Sequence, residues 1–236
     1  MNPDTAAGQI TPPGRAFWSG VLAELPLLLG VAPFALIYGV LAVNVGIPPV
    51  QAQAMSVLLF AGSAQFLVAQ MIAAGTPAVV LVLAIVVVNL RHALYSASLA
   101  PYYQRLSRGW KALLAYLLVD EAYAVIITHY EKEGDTPSGR WFALGVGLAL
   151  CTTWLCFTAA GVFLGAAVPS SWPLDFALPL TFIALVVPAL KDRPSRGAAL
   201  AAGLAAVALY SLPYKLGILA AALTGIAFGL WLEARK

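Results

Sequence analysis

From Leu25 to Leu90 the chain contains no Asp, Glu, Lys, Arg or His. A stretch of that length holds about three helices of ~20 residues, each enough to cross the hydrocarbon core of a bilayer. An unpaired backbone N–H or C=O costs several kcal/mol in lipid, so apolar runs at that depth form either helices or strands of a closed barrel. These runs are solidly apolar where barrel strands alternate, which excludes the barrel. Composition agrees, with 61% of the 236 residues hydrophobic and only 10% charged, against roughly 25% charged in ordinary soluble domains. Such a chain cannot clothe a water-facing surface. The expectation is an all-α, polytopic transmembrane helical bundle.

Charge clusters, Pro and Gly divide the chain into about seven to eight hydrophobic segments. They run 17–45, 51–74, 77–99, 110–130, 141–168, 173–190, 197–212 and 214–232. Seven results if Ser211, Leu212 and Pro213 only kink one final helix, since Pro bends a membrane helix without ending it. Residues 1–14 (MNPDTAAGQITPPG) are polar and proline-rich without a basic region, so they read as a flexible tail and not a cleaved signal. Residues 15–236 read as a single transmembrane transporter domain, because the longest polar connection, Glu131 to Arg140, is loop-sized. Laying the chain on itself with a shift near 122 residues brings Gly39 onto Gly161, the Pro48–Pro49 turn beside Pro169, and Phe60 onto Phe182. That echo suggests an internal repeat of the kind transporters use, with substrate held near the midplane between the halves.

Orientation raises a conflict. Arg105, Arg108 and Lys111 should mark one cytoplasmic loop, and Lys191, Arg193 and Arg196 another. Eight crossings would put them on opposite sides. One segment is therefore expected to be broken, re-entrant or miscounted. The candidates are 51–74, with its Gly62-Ser63-Ala64-Gln65 interruption, and 173–190, with Pro179 and Pro188.

Several chemistries are disfavoured. The net charge of +3 comes from clusters at segment ends and not from a basic face with interleaved aromatics, so nucleic acid is not expected. Cys151 and Cys156, five residues apart in one apolar run, point to different helix faces and read as packing residues, neither a disulfide nor a metal pair. No H-E-x-x-H or G-x-S-x-G is present, and the only histidines are His92 and His129, which argues against an enzyme. No cofactor is implied.

Polar groups inside apolar segments are costly and turn to the bundle interior, so they are the informative positions. Glu24 precedes Pro26, Gly30 and Pro33, an arrangement that invites a kinked or discontinuous helix; it reads either as an interfacial Glu or as a pathway residue. Phe60 to Phe66, with Ser56 a turn before and Gln70 a turn after, reads either as a helix break freeing backbone groups for a ligand or as a close crossing through Gly62 and Ser63. Along Asn89 to Ser96, helical spacing puts Asn89, His92 and Ser96 on one face and Arg91, Tyr95, Ser98 and Tyr102 on another. Arg91 binds a carboxylate bidentately or snorkels to headgroups. Asp120 and Glu121, near the middle of the 110–130 segment with Tyr116 and Tyr123 on the Asp120 face, take an ammonium, pair with Arg91, or carry a proton.

The strings FAGSAQF at 60–66, NLRHALYSASLAP at 89–101 and DEAY at 120–123, after a P-x6-PF pattern at 26–34, resemble the AzlC or YgaZ family. Its members are large subunits of branched-chain amino-acid permeases, associated with azaleucine resistance and with export of valine and leucine. The resemblance covers most of the chain from about Phe17 and weakens after residue 140. It implies a multi-pass exporter of the bacterial inner membrane, working with a small membrane subunit of the AzlD or YgaH type.

A zwitterionic aliphatic amino acid requires a cationic or N–H-rich site, an acidic or carbonyl site, and an apolar pocket. Arg91 and freed amides suit the first, Asp120 or Glu121 the second, and Leu58, Leu59, Phe60 and Phe66 the third. The expected substrate-binding set is Ser63, Gln65, Asn89, Arg91, Tyr95, Asp120 and Glu121, with Glu24, Asp120 and Glu121 as candidates for proton coupling. Transport proceeds by alternating access on this reading. Rival readings are a carrier of another small solute, a non-transporting assembly subunit and an intramembrane enzyme.

Overall fold

The structure, a computed structural model, describes residues 11–165, 190, 192–213 and 216–235. The 173–190 segment, the Pro179 and Pro188 break and the repeat's partners Pro169 and Phe182 lie outside the described residues. Within them the fold is all-helical, with no strand: α1 (Pro13–Asn44), α2 (Pro49–Leu58), α3 (Gly62–Ala73), α4 (Ala78–Tyr103), α5 (Arg108–Tyr116), α6 (Asp120–Glu133), α7 (Gly139–Gly165), α8 (Arg193–Ala208) and α9 (Leu216–Glu233). Among these, α1, α4, α7 and α9 are long and apolar enough to cross a membrane.

Sequence punctuation sets several boundaries. At the ends of α1 and α3, Gly46 and Gly75 take positive φ, and paired backbone bonds (Ile47 N–H to Ala42 C=O, Thr76 N–H to Met71 C=O) close the last turn. Prolines then open α2 at Pro49 and precede α4 at Pro77, where a missing N–H costs nothing. Inside α1, by contrast, Pro26 and Pro33 do not interrupt the helix, which runs continuously from Pro13 to Asn44. The discontinuity expected after Glu24 is absent there. Both prolines face outward, away from the helix's packed side.

The core is the crossing of α1 with α7. Gly39 lies against the backbone of Thr158 and Gly161, and Gly161 against that of Leu36 and Gly39; nearer the helix starts, Gly20 meets Phe142 and Gly145 meets Phe17. A Cβ at any of these would collide with backbone, so small residues let the helices approach. The contacts advance together along both helices, so α1 and α7 run parallel.

Two of the expected single segments are broken. The 51–74 run divides into α2 and α3 at Leu59–Ala61, just before the Gly62–Gln65 stretch in which the interruption was expected. The 110–130 run, read as one helix, divides into α5 and α6 at Leu117–Val119. That corrects the placement of Asp120 and Glu121, which sit in the first turn of α6 and not in mid-helix. Acidic side chains there complement the positive end of the helix dipole.

Side-chain contacts trace the path. Tyr95 meets Asp120, Ser98 meets Tyr123 and Tyr102 stacks on Tyr130, so α4 and α6 run parallel to the same end of the bundle. Trp110 at the start of α5 packs edge-on against Trp141 at the start of α7. Hence α5 enters from that end and α6 returns to it as a helical hairpin. Because α1 is parallel to α7, it starts at this end and finishes at the other, where α2 begins. Helix α3 runs back there antiparallel to α4, as Ser63 opposite Arg91 and Met71 beside Ala84 require. The α2–α3 hairpin therefore hangs from the opposite end, and the two hairpin tips meet. Tyr116 donates its hydroxyl to the Val57 carbonyl at 2.8 Å, and its ring stacks on Phe60 with centroids 5.9 Å apart.

The last two helices also form a hairpin, since Gly217 meets Leu209 while Gly197 meets Leu232 and Phe228. Ser211 to Pro213 is thus a turn between antiparallel helices and not a kink. Leu219 packs onto Leu67, Met71 and Ala84, which places this turn toward the end where α2–α3 hangs. Arg193 and Arg196 then lie at the same end as Arg105, Arg108, Lys111, Lys132 and Arg140. Connections 45–48 and 74–77 at the other end carry no charge.

Candidate functional site

Arg91 lies midway along α4, level with both hairpin tips. One terminal nitrogen donates to the Ser63 hydroxyl at 2.6 Å, and the other pairs with an Asp120 carboxylate oxygen at 2.5 Å. Ser63 is in the first turn of α3 and Asp120 in the first turn of α6, so a single guanidinium joins the starts of the two returning helices. Neither start has a side-chain cap: Ala61 and Val119 stand at the cap positions in extended conformations without capping hydrogen bonds. Uncapped helix starts present free N–H groups and favour anions. Asp120 is the anion there in this conformation. Its other oxygen accepts from the Tyr95 hydroxyl at 2.7 Å, and Tyr95 stacks face to face on Tyr123, centroids 4.4 Å apart. Arg91 keeps its Nε–H buried without a hydrogen-bond partner among the described residues.

Glu24 is buried completely, and neither carboxylate oxygen has a partner among the described residues. The charged neighbour that bears on it is Glu121. A buried carboxylate in that position either carries a proton or needs a cation. Asp120 is thus neutralised by Arg91, while the next residue of α6, Glu121, and the buried Glu24 make no salt bridge among the described residues.

Behind the α2–α3 tip lies a mixed wall. Phe34, Tyr38, Phe66 and Trp154 pack as a ring cluster, with Phe34 and Phe66 centroids 4.5 Å apart and Gly62 lying against Trp154. Gln65 donates to Ser56 at 3.0 Å, and Ser56 donates to Thr158 at 3.3 Å. The Gln65 carbonyl and the Trp154 indole N–H remain buried without hydrogen-bond partners among the described residues.

Ser63, Arg91, Tyr95 and Asp120 come together at one point. Gln65 instead turns toward α2 and α7, through Ser56 and Thr158. Asn89 lies on another face of α4, its side-chain carbonyl buried without a partner among the described residues, as is His92 Nε2. Phe60 and Phe66 are buried near the tip, whereas Leu58 is 85% exposed on the outer surface, which removes it from any internal apolar pocket. Tyr116 does not share a helix face with Asp120, because the break at Leu117–Val119 separates them. Trp154, Thr158 and Tyr38 lie outside the expected set, although Trp154 and Thr158 are polar-capable residues in an apolar run, the same signal that singles out Ser63 and Gln65. Cys151 is buried, Cys156 exposed, and both are free. No group of His, Cys, Asp and Glu with metal-binding geometry occurs among the described residues.

The family model described as "AzlC protein" matches residues 26–168, more than half of the chain. The chain belongs to the AzlC family. This AzlC-family chain is 29% identical to the "Inner membrane protein YgaZ" of Escherichia coli K12, over 94% of its own length and 95% of the relative's. An "Uncharacterized membrane protein" of Archaeoglobus fulgidus is 31% identical over 91% and 94% of the two chains. The "Branched-chain amino acid transport protein AzlC" of Bacillus subtilis 168 is 26% identical over 82% and 76%. No solved structure matches significantly. The matched region contains Ser63, Arg91, Tyr95, Asp120 and Glu121, while Glu24 precedes it. With four helices long enough to span and relatives of this kind, the chain is a multi-pass inner-membrane protein.

Proposed function

We propose that this chain is the large subunit of a permease that exports branched-chain or similarly hydrophobic amino acids by alternating access. The observation that carries the reading is Arg91 strung between the starts of α3 and α6. Discontinuous helices whose N-termini converge near mid-membrane are how several transporters hold a substrate carboxylate. In this reading the substrate carboxylate displaces Asp120 from Arg91 and takes up the N–H groups at the two helix starts. Its ammonium goes to Glu121, or to Asp120 once released, and its aliphatic side chain lies toward Phe60 and Phe66. Glu24 and Glu121 supply the proton step. The printed name of the Bacillus relative supports the substrate class. A small AzlD- or YgaH-type subunit completes the permease.

The two hairpins become re-entrant segments, one from each face of the membrane, with the Arg-rich end cytoplasmic by the positive-inside rule. A hairpin that returns to its own side removes the conflict between the two basic loops. The α1–α7 crossing supports an internal repeat, because Gly39 meets Gly161, its partner at a shift of 122 residues, and Gly20 meets Phe142 at the same shift.

The test is leucine efflux from vesicles holding this chain with and without the small subunit. Lys keeps the charge at position 91 but lacks the fork, so Arg91→Lys should raise the half-saturating leucine concentration about tenfold, the loss of one charge-assisted hydrogen bond. Unchanged affinity and rate at matched protein levels would reject the carboxylate role. Transport of another solute in place of leucine, or none under any pairing, would favour the other-solute and assembly-subunit readings respectively.

A further inference from the structure

A second polar site lies at the Arg-rich end, away from Arg91. A pocket of about 240 Å³ opens between the α4–α5 and α6–α7 connections, lined by Tyr102, Arg105, Tyr130, Asp135, Thr136 and Arg140. Arg140 is fixed there by the faces of Trp110 and Trp141, its guanidinium carbon 5.4 and 5.8 Å from the ring centroids. Its Nε–H is buried without a hydrogen-bond partner among the described residues. Neither Arg105, Arg140 nor Asp135 makes an ion pair among the described residues. Two arginines and one carboxylate thus line one small cavity without pairing with each other among the described residues.

Tyr102 and Tyr130 line the cavity, Tyr103 packs on Tyr130 and the two Trp rings on Arg140, and Trp and Tyr concentrate at the level of lipid headgroups. Guanidinium forks match phosphate oxygens. A purely anionic ligand would also meet the Asp135 carboxylate, whereas a phosphate followed by an ammonium satisfies all three charges. We propose that this pocket binds the phosphoethanolamine headgroup of a membrane phospholipid, with Arg105 and Arg140 on the phosphate and Asp135 on the amine. The headgroup would then tie the α4–α5 connection to the start of α7 and so hold the base of the α5–α6 hairpin.

Native mass spectrometry of the purified protein with phosphatidylethanolamine and phosphatidylglycerol tests this. Wild type should retain the ethanolamine lipid at least severalfold over the glycerol lipid. Arg105→Gln with Arg140→Gln should lose retention about tenfold or more, and Asp135→Asn should abolish the preference between the two lipids. Should the double variant not fold, Arg105→Gln alone carries the test, since that side chain is exposed and makes no internal contact that folding requires. Unchanged retention in the Arg variants, preference for phosphatidylglycerol in wild type, or displacement of the lipid by equimolar inorganic phosphate would each overturn the proposal.

Discussion

A guanidinium carries five N–H bonds in a fixed fork, and Arg91 commits its two terminal nitrogens to Ser63 and Asp120 while Nε stays free. Asp120 has both oxygens engaged, by Arg91 and by Tyr95, whereas Glu121 pairs with no cation within salt-bridge distance among the described residues. The adjacent acids should therefore separate under mutation. Asp120→Asn breaks an ion pair that is partly open to its surroundings and should lower stability by about 1.5–3 kcal/mol while abolishing leucine efflux. Glu121→Gln should abolish or uncouple efflux with the melting temperature nearly unchanged. Equal transport by both variants would reduce the pair to structure; equal destabilisation would contradict the division of roles. Residue type and spacing alone made the Arg91, Tyr95, Ser98 and Tyr102 stripe visible, together with the charge match between Arg91 and Asp120. They could not show that Ser63 completes the arrangement, because that depends on where α3 starts. Nor could they show that α1, which carries Glu24, packs against α6, which carries Glu121, since the two are far apart in sequence and only tertiary packing brings their helices together.

At the scale of elements, the two breaks differ in what announces them. Gly62 and its small neighbours advertise an interruption in 51–74. Leu117, Leu118 and Val119 carry neither Gly nor Pro, and they are buried, with Leu117 against Gly147. The break there is imposed by packing, and the one local hint is the pair of acids, which favours a helix start. The α1–α7 crossing was half legible: Gly39 and Gly161 aligned on a repeat, but their direct contact is tertiary. That contact makes a sharp expectation. In Gly161→Leu the side chain would strike the Leu36 backbone, and overpacking of about 3 kcal/mol or more should follow. Gly30→Leu, where a Cβ meets nothing within 4 Å, should be neutral. Thermal melting and gel filtration of both variants in mild detergent decide it; a Gly161→Leu protein as stable as Gly30→Leu would mean the helices do not cross there.

At the scale of the whole molecule, hydropathy settled the class of fold, while it does not distinguish the broken 51–74 and 110–130 runs from continuous spans. The proposed orientation is open to a direct check. With Cys151 and Cys156 replaced by Ala, Asn44→Cys should react with a membrane-impermeant maleimide in intact cells, and Glu131→Cys only after permeabilisation. The reverse pattern would invert the molecule, and labelling of both from outside would remove the hairpin arrangement. Where the tips touch, Tyr116 against Val57 and Phe60, the proposed arrangement closes the way between the two faces. A transported charge that passes this contact crosses the full membrane voltage. A charge passing it does about 2.3 kcal/mol of electrical work per 100 mV. An amino acid with one positive and one negative group crosses without such work, whereas each proton relayed through Glu24 does not. The steepness of efflux with voltage would therefore count protons per substrate.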